Sequence, residues 1–321
     1  MELLLHLQFV ARVLLALGLF SGLLSPLQAQ EPVRIIWLHH SCGEGLIEQG
    51  GVRQGLTALG YEFYDHGYND EGLRLADGSY SGRNFDVPDD NTDPDGLAAI
   101  FSQPLHDPPD NTFSYLMQYD VIAFKSCYPV SNIGSDEQLA EYQAYYLTIR
   151  ARTAQYPGKL FVVVTQPPQV PGSSDRDEAR RARALADWLN SGQFLGGQPN
   201  LVTFDFFGYL AGDDNFLRRE YRVDNQDAHP NERADREIGS RFVEFLDQAI
   251  RSFEMGATPR PTTVAEPTLP PAPTQSAGEV VSPPAQEDET GGSLCPLAAM
   301  LPLGLAAVAA VRQRQHNPIE G

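Results

Sequence analysis

The sequence predicts a three-layer α/β/α sandwich built on a five-stranded, mainly parallel sheet. Between residue 31 and about residue 255, short β-branched and aromatic runs alternate with amphipathic stretches, which is typical of parallel strands joined by covering helices. The chain has 321 residues, 42% of them apolar, so it is long enough to bury a large core.

The predicted strands are apolar runs bounded by turn residues. In chain order they are 33–38 (VRIIWL), 61–64 (YEFY), 121–124 (VIAF), 160–164 (LFVVV) and 201–204 (LVTF). Helices are predicted at about 45–59, 136–154, 177–190 and 232–252. In the last helix, Ile238, Phe242 and Leu246 recur at helical spacing.

The N-terminal segment indicates export. Residues 1–29 contain a long apolar run that ends in a small-residue cleavage pattern near Ala29, which predicts a secretory signal peptide. An uncleaved N-terminal anchor is the alternative. The folded domain is expected to cover 30–255.

The C-terminal segments predict a tether. Residues 256–292 are rich in Pro, Thr and acids, which predicts a disordered linker. Residues 293–314 hold an apolar stretch followed by arginines, which predicts a transmembrane or sorting segment with 315–321 as a cytoplasmic tail. Cys295 is either a lipid attachment point or an idle residue of that segment. The domain is therefore expected outside the cell, anchored to the cell membrane or cell surface.

The charge balance excludes one class of partner. Lys and Arg total 23 against 42 Asp and Glu, a net charge of −19, and such a field repels nucleic acid. The three cysteines, Cys42, Cys127 and Cys295, have no zinc-binding spacing. Structural zinc is not expected.

Four polar segments are predicted to meet at one edge of the sheet. They are 39–43 (HHSCG), 125–129 (KSCYP) and 165–168 (TQPP), each of which follows a strand, and 227–231 (DAHPN), which precedes the last helix. In open α/β sheets, ligands bind at the carboxyl ends of the strands. The functional site is expected there.

Ser41 and His229 are the candidate nucleophile and base. A serine at a strand-to-helix turn exposes its hydroxyl beside free N–H groups, and it needs a base to become nucleophilic. Alone, Ser41 is more typical of a helix N-cap and His229 of an exposed turn residue. Together at one sheet edge they favour nucleophilic catalysis, with Asp227 orienting His229.

This pattern resembles the SGNH (GDSL-like) hydrolases. The resemblance covers about 33–252 and is carried by Leu38–Gly43, Phe124–Pro129 and His229–Asn231. More narrowly, it resembles a bacterial secreted subgroup with His-His-Ser in place of Gly-Asp-Ser. It implies a flavodoxin-like fold and esterase activity without a cofactor, with Ser41 as nucleophile and His229 as base.

The acid of the triad departs from the family pattern. Gln226 stands where the superfamily has its Asp, while Asp227 is two residues before His229 and Asp224 is five before. Asp227 is favoured because alternate residues of an extended segment face the same way. Asp224 stays open.

The oxyanion donors also depart from the family pattern, because the Gly and the Asn that supply donors in the family have no counterparts in this sequence. The candidates are backbone N–H groups near Ser126 and Cys127 and the side-chain amides of Asn132 or Gln166. His40 is expected to contact the substrate.

A metal site is an alternative interpretation of His39, His40 and the pair Asp65-His66, because imidazoles and carboxylates are good ligands. No second spaced motif accompanies them, so we expect no metal. Residues 86–96 resemble the opening of a calcium loop, but the twelfth position is Ser102, and an acidic turn before a helix is favoured.

Two further features concern the surroundings of the site. Cys42 and Cys127 follow neighbouring strands, so they either form a disulfide or remain buried thiols. Residues 65–118 are too long for an ordinary connection. They are expected to overhang the site and to offer aromatic rings, among them Tyr68, Phe85 and Tyr115, for stacking on sugars.

These features predict a surface-tethered serine esterase. The expected substrate is a small ester or an acylated carbohydrate, cleaved through an acyl-Ser41 intermediate. The alternative is a catalytically silent module of the same fold that binds glycan or protein.

Overall fold

The structure, a computed structural model, describes residues 31–88 and 93–256. Six strands form one sheet in the order β3-β2-β1-β4-β5-β6. They are β1 (Arg34–Leu38), β2 (Glu62–His66), β3 (Leu73–Arg74), β4 (Val121–Lys125), β5 (Leu160–Val164) and β6 (Leu201–Phe204). Neighbouring strands are parallel except β2 and β3. The predicted α/β class is confirmed, and the predicted count of five is wrong by one short edge strand.

Helices cover both faces of the sheet. They are α1 (Ser41–Glu48), α2 (Val52–Ala58), α3 (Pro94–Ser102), α4 (Thr112–Leu116), α5 (Asp136–Thr153), α6 (Arg176–Leu189), α7 (Gly192–Leu195), α8 (Phe206–Leu210) and α9 (Glu232–Gly256). Two 3₁₀ turns lie at Tyr128–Ser131 and Arg219–Tyr221.

Alternate residues of each strand pack into opposite layers, as the period of a strand requires. In β1, Ile36 and Leu38 pack against α3, α4 and α5. Ile35 and Trp37 pack against α1, α2 and α9, and the Trp37 ring lies 4.8 Å from that of Phe242. The central strands are thus buried on both faces.

The predicted helix over 45–59 is two helices. Gly51 has φ +69°, a conformation that favours glycine, and it separates α1 from α2. At Gly50 a Cβ would lie 2.5 Å from the carbonyl oxygen of Asp235, and at Gly239 a Cβ would lie 2.5 Å from that of Gly50. Glycine therefore lets α9 approach the end of α1 closely.

The segment 65–118 carries its own structure. It contains β3, α3 and α4, and α3 packs against α5. Phe85 is buried and stacks on His66 and on Tyr115 at ring distances of 4.9 and 5.1 Å. Phe85 is therefore a core residue and not a platform for sugars. The segment resembling a calcium loop lies partly outside the described residues.

The chain divides into two units, Met1–Ala272 and Pro273–Gly321, and every described residue belongs to the first. The predicted signal peptide, linker, membrane or sorting segment and tail lie outside the described residues, apart from Gly256, which ends α9. Among the helices of 31–88 and 93–256, none is both long and apolar enough to cross a membrane.

Candidate active site

Ser41 is the first residue of α1, three residues after β1 ends. The N-cap is His40, whose backbone is extended and whose side chain makes no capping hydrogen bond. Ser41 is therefore not the N-cap, and its hydroxyl does not bond the helix. Among the described residues, the N–H groups of Ser41 and Cys42 meet no acceptor, as is usual for the first turn of a helix.

Ser41, His229 and Asp227 form a chain of hydrogen bonds. The Ser41 Oγ lies 2.7 Å from His229 Nε2, and His229 Nδ1 lies 2.6 Å from Asp227 Oδ1. When Ser41 donates to Nε2, the imidazole proton must lie on Nδ1, where the Asp227 carboxylate accepts it. The backbone N–H of His229 donates to the same Oδ1 at 2.9 Å. This arrangement can remove a proton from Ser41.

Asp224 shapes the turn before His229. Its Oδ1 accepts the backbone N–H groups of Gln226 and Asp227, both at 2.7 Å, and these bonds lower the pKa of Asp224. The pKa of Asp227 is lowered chiefly by the His229 backbone N–H. Asp227 therefore hydrogen-bonds the His229 ring, whereas Asp224 hydrogen-bonds the backbone of Asp227.

Tyr128 holds the His229 loop, although the sequence analysis assigned it no role. Its hydroxyl donates to the carbonyl of Ala228 at 2.5 Å, and its ring meets that of His229 edge-on at 5.4 Å. The Cys42 thiol lies 3.0 Å from the same hydroxyl. The signal was present, because Tyr128 belongs to the polar segment after β4.

Asn231 fixes the other end of the loop. Its Nδ2 donates to the carbonyls of Glu220 and Arg222, both at 3.0 Å. Its Oδ1 accepts the N–H groups of Arg233 and Ala234 at the start of α9, as an N-cap side chain does. The loop that carries His229 is therefore tied at both ends.

The predicted side-chain oxyanion donors are used elsewhere. Gln166 is fully buried, and its Nε2 donates to the carbonyl of Ala182 at 2.8 Å. Its burial and this hydrogen bond disfavour Gln166 as an oxyanion donor. The Asn132 amide donates to the carbonyl of Ser173 at 3.2 Å, so its donor is also engaged.

Backbone N–H groups after β4 remain candidate oxyanion donors. The Ser126 hydroxyl is buried and lies 2.8 Å from the hydroxyl of Tyr146, so only the main chain of Ser126 is a candidate donor. Within the described chain, the N–H groups of Ser126 and Cys127 have no acceptor. The same holds for Cys42, which directly follows Ser41. A role for these groups stays a prediction.

His40 lies in the site, where its ring contacts the Cys127 thiol. It is 1% exposed, and apart from that contact neither ring nitrogen has a hydrogen-bond partner among the described residues. Its ring packs on Tyr68 at 4.6 Å. Burial lowers the pKa of His40, and its contact with Cys127 offsets only part of that effect. His40 is therefore a neutral group at pH 7.

His39 belongs to a buried charged network. Its Nε2 lies 3.0 Å from Asp65 Oδ2, and its Nδ1 lies 3.0 Å from the carbonyl of His40. Arg53 bonds Asp65 Oδ1, and Arg74 bonds Oδ2 at 2.8 Å. Because two guanidinium groups and an imidazole share this carboxylate, the network fixes the backbone before Ser41.

The residues of the metal interpretation do not suit a metal ion coordinated by Asp65. Potential ligand atoms of His39, Glu44 and Asp65 lie within 4.8 Å of one another, but the guanidinium groups on Asp65 would repel a metal ion. His66 is also committed, since Nδ1 lies 3.1 Å from the carbonyl of Gly67 and Nε2 accepts the N–H of Phe85. The absence of a metal stays a prediction, which this charge distribution supports.

Cys42 and Cys127 are buried free thiols, which answers the question left open by the sequence. Burial raises the pKa of Cys42 well above its usual value. The thiolate is the nucleophilic form of cysteine. Ser41 and not its neighbour Cys42 is therefore the group that can attack a substrate.

Comparisons with known proteins gave one distant structural alignment. No protein-family model matches the chain, and no curated protein matches it. A solved structure of a Bacteroides fragilis protein, provisionally described as an acylhydrolase, aligns with a TM-score of 0.44 and 10% identity. The alignment covers 70% of this chain and 93% of that chain.

Proposed function

We propose that the protein is a serine esterase that cleaves its substrate through an acyl-Ser41 intermediate. The hydrogen-bonded chain from Ser41 through His229 to Asp227 carries this proposal, with distances of 2.7 and 2.6 Å. A serine activated by an imidazole that a carboxylate orients is the arrangement of acyl-transfer catalysis on many folds.

In the first step, His229 takes the Ser41 proton while Oγ attacks the ester carbonyl carbon. The resulting oxyanion is stabilised by main-chain N–H groups, for which Cys42 and the chain after β4 are the candidates. The C–O bond to the alcohol then breaks, and the alcohol leaves with the proton held by His229. Asp227 stabilises the imidazolium in this step.

In the second step, water attacks the acyl-Ser41 carbonyl. His229 takes a proton from that water, the tetrahedral intermediate collapses, and Ser41 recovers its proton as the carboxylic acid leaves. The proton exchanged between Ser41 and His229 moves along a hydrogen bond that exists in the resting site. The two steps need no cofactor.

The space beside Ser41 favours a small substrate group. A cavity of about 190 Å³ adjoins Ser41, and a cavity of ~150 Å³ accommodates a benzene-sized group. We therefore propose small acyl esters, including acylated carbohydrates, as substrates. The sequence segments outside the described residues support a surface-tethered location.

The test compares hydrolysis of p-nitrophenyl acetate by the full chain and by Ser41→Ala. We expect the variant to lose about a thousandfold or more in kcat. Ser252→Ala, which changes an exposed serine of α9, is the matched control and should keep wild-type activity. Equal rates for wild type and Ser41→Ala would instead favour a catalytically silent binding module.

A further inference from the structure

The cavity beside Ser41 has a polar and acidic lining. It is formed by His39, His40, Ser41, Glu44, Gly67, Tyr68 and Glu71. No lysine or arginine of the described residues contributes to it. Lys125, whose charge helps to lower the pKa of His40, is fully buried and does not line the cavity.

The two carboxylates of the cavity differ in their partners. Glu44 Oε2 pairs with Arg74 at 2.5 Å, and Arg74 also serves Asp65 and Glu48. Glu71 has no cationic partner among the described residues. Its charge is therefore the uncompensated one at the cavity.

Glycine at position 67 lets the Glu71 carboxylate reach the cavity wall. A Cβ on Gly67 would lie 2.7 Å from Glu71 Oε2 and 3.7 Å from His39 Cε1. The carboxylate therefore lies across Gly67 and close to His39, although Glu71 itself is an exposed residue. Any larger residue at position 67 would displace it.

His40 provides an independent indication of a ligand. This side chain lines the cavity and is 1% exposed, yet apart from a contact with the Cys127 thiol neither ring nitrogen has a hydrogen-bond partner in the described chain. Buried polar groups normally have partners. A neutral imidazole has one unprotonated nitrogen, and its lone pair attracts a positively charged group that fills the cavity.

We propose that this cavity binds a cationic, ammonium-type group of the ester substrate. The proposal rests on the esterase function of Ser41 and names the substrate class. Glu71 supplies the opposite charge, His40 a polar contact, and Tyr68 an aromatic ring of the kind that attracts cations. The cavity volume of about 190 Å³ accommodates a trimethylammonium group.

The ammonium group can belong to the alcohol or to the acyl part of the ester. Acetylcholine carries it on the alcohol, and betaine methyl ester carries it on the acyl group. Each is compared with its uncharged isostere, in which a tert-butyl group replaces trimethylammonium. The full chain is assayed by pH-stat titration, and every kcat/KM is divided by the hydroxide-catalysed rate constant of the same ester.

For at least one pair, we expect the corrected kcat/KM of the cationic ester to exceed that of its isostere about fivefold. A fivefold preference is the size of effect expected from one ion pair near the protein surface. Glu71→Gln should bring the ratio close to one. The ratio should also fall as salt is added.

Asp70→Asn is the matched control, because Asp70 is an exposed neighbour that does not line the cavity. It removes the same charge from the same loop and should leave the ratio at the wild-type value. A ratio near one for both pairs in the active wild type would overturn the proposal, and so would equal losses in Glu71→Gln and Asp70→Asn.

The neutral isosteres separate this proposal from the esterase function. If wild type hydrolyses them without preferring the cationic esters, the cationic site is wrong and the esterase stands. If wild type hydrolyses none of the four esters above the rate of Ser41→Ala, the esterase function fails for this substrate class and the proposal fails with it.

Discussion

Asp235 makes the stability of the domain depend on pH. This residue of α9 is 5% exposed, and its carboxylate oxygens lie within 2.8 Å of the position that a Cβ on Gly45 would take. Burial, reinforced by the charge of Glu232 and opposed by that of Arg236, raises its pKa from 3.8 to about 7. A buried carboxyl without a cation in contact favours its neutral form.

The direction of this pH dependence follows from the linkage between folding and proton binding by Asp235. In the unfolded chain, Asp235 ionises near its usual pKa, so rising pH stabilises the unfolded state first. Stability is therefore lost between about pH 4 and pH 7, and the loss is complete above the folded pKa. A difference of about three pKa units corresponds to at most about 4 kcal/mol, or about 10 °C in melting temperature for a domain of this size.

The variant Asp235→Asn removes this titration while keeping the shape of the side chain. We expect the difference in melting temperature, variant minus wild type, to be several degrees larger at pH 8 than at pH 4. The amide's own packing cost is the same at both pH values, so it cancels in this comparison. Calorimetric melts at matched ionic strength measure the difference. A difference that stays constant with pH, or falls, would refute the reasoning.

Three further predictions concern the loop and the domain boundary. Asp227→Asn should lower kcat by orders of magnitude with little change in KM, whereas Asp224→Asn should cost much less because it only bonds the turn. Tyr128→Phe leaves a carbonyl without its donor, so it should lower the free energy of unfolding by about 1–3 kcal/mol and reduce kcat. A chain that ends at Gly256 should melt at the temperature of the full chain, since the described packing ends with α9. The first prediction is contradicted if Asp224→Asn loses more kcat than Asp227→Asn. The second is contradicted if Tyr128→Phe melts like wild type, and the third if the shortened chain melts at a lower temperature than the full chain.

The sheet was predictable where burial leaves a clear pattern. The strands at 160–164 and 201–204 have the predicted bounds. The first is buried along its whole length and reads as an apolar run, whereas the second is an edge strand buried at Leu201 and Phe204. β3 was missed because two residues carry no periodicity. The helix predicted over 45–59 was not divided, although the glycine pair at 50–51 is a turn signal and Gly51 takes a φ of +69°.

The site was predictable to the level of the segments that form it. The alternate-residue argument favoured Asp227, and the structure places that residue on His229. The direction of Gln166 could not be read, because a residue after a strand can point into either layer. The burial of Asp235 had a signal that went unused, since it lies three and seven residues before Ile238 and Phe242 on the buried helix face.

The most direct test of the account is to trap the acyl-enzyme and to locate the acyl group. The full chain is mixed with p-nitrophenyl acetate, quenched in acid, digested with trypsin and sequenced by tandem mass spectrometry. The peptide 35–53 contains a single serine and no threonine, tyrosine or lysine, so an added acetyl group can be assigned to Ser41 or to Cys42. The account predicts acetylation of Ser41, and more of it in His229→Ala if deacylation slows more than acylation. Turnover without any acetyl group on Ser41, or with the acetyl group on Cys42, would contradict it.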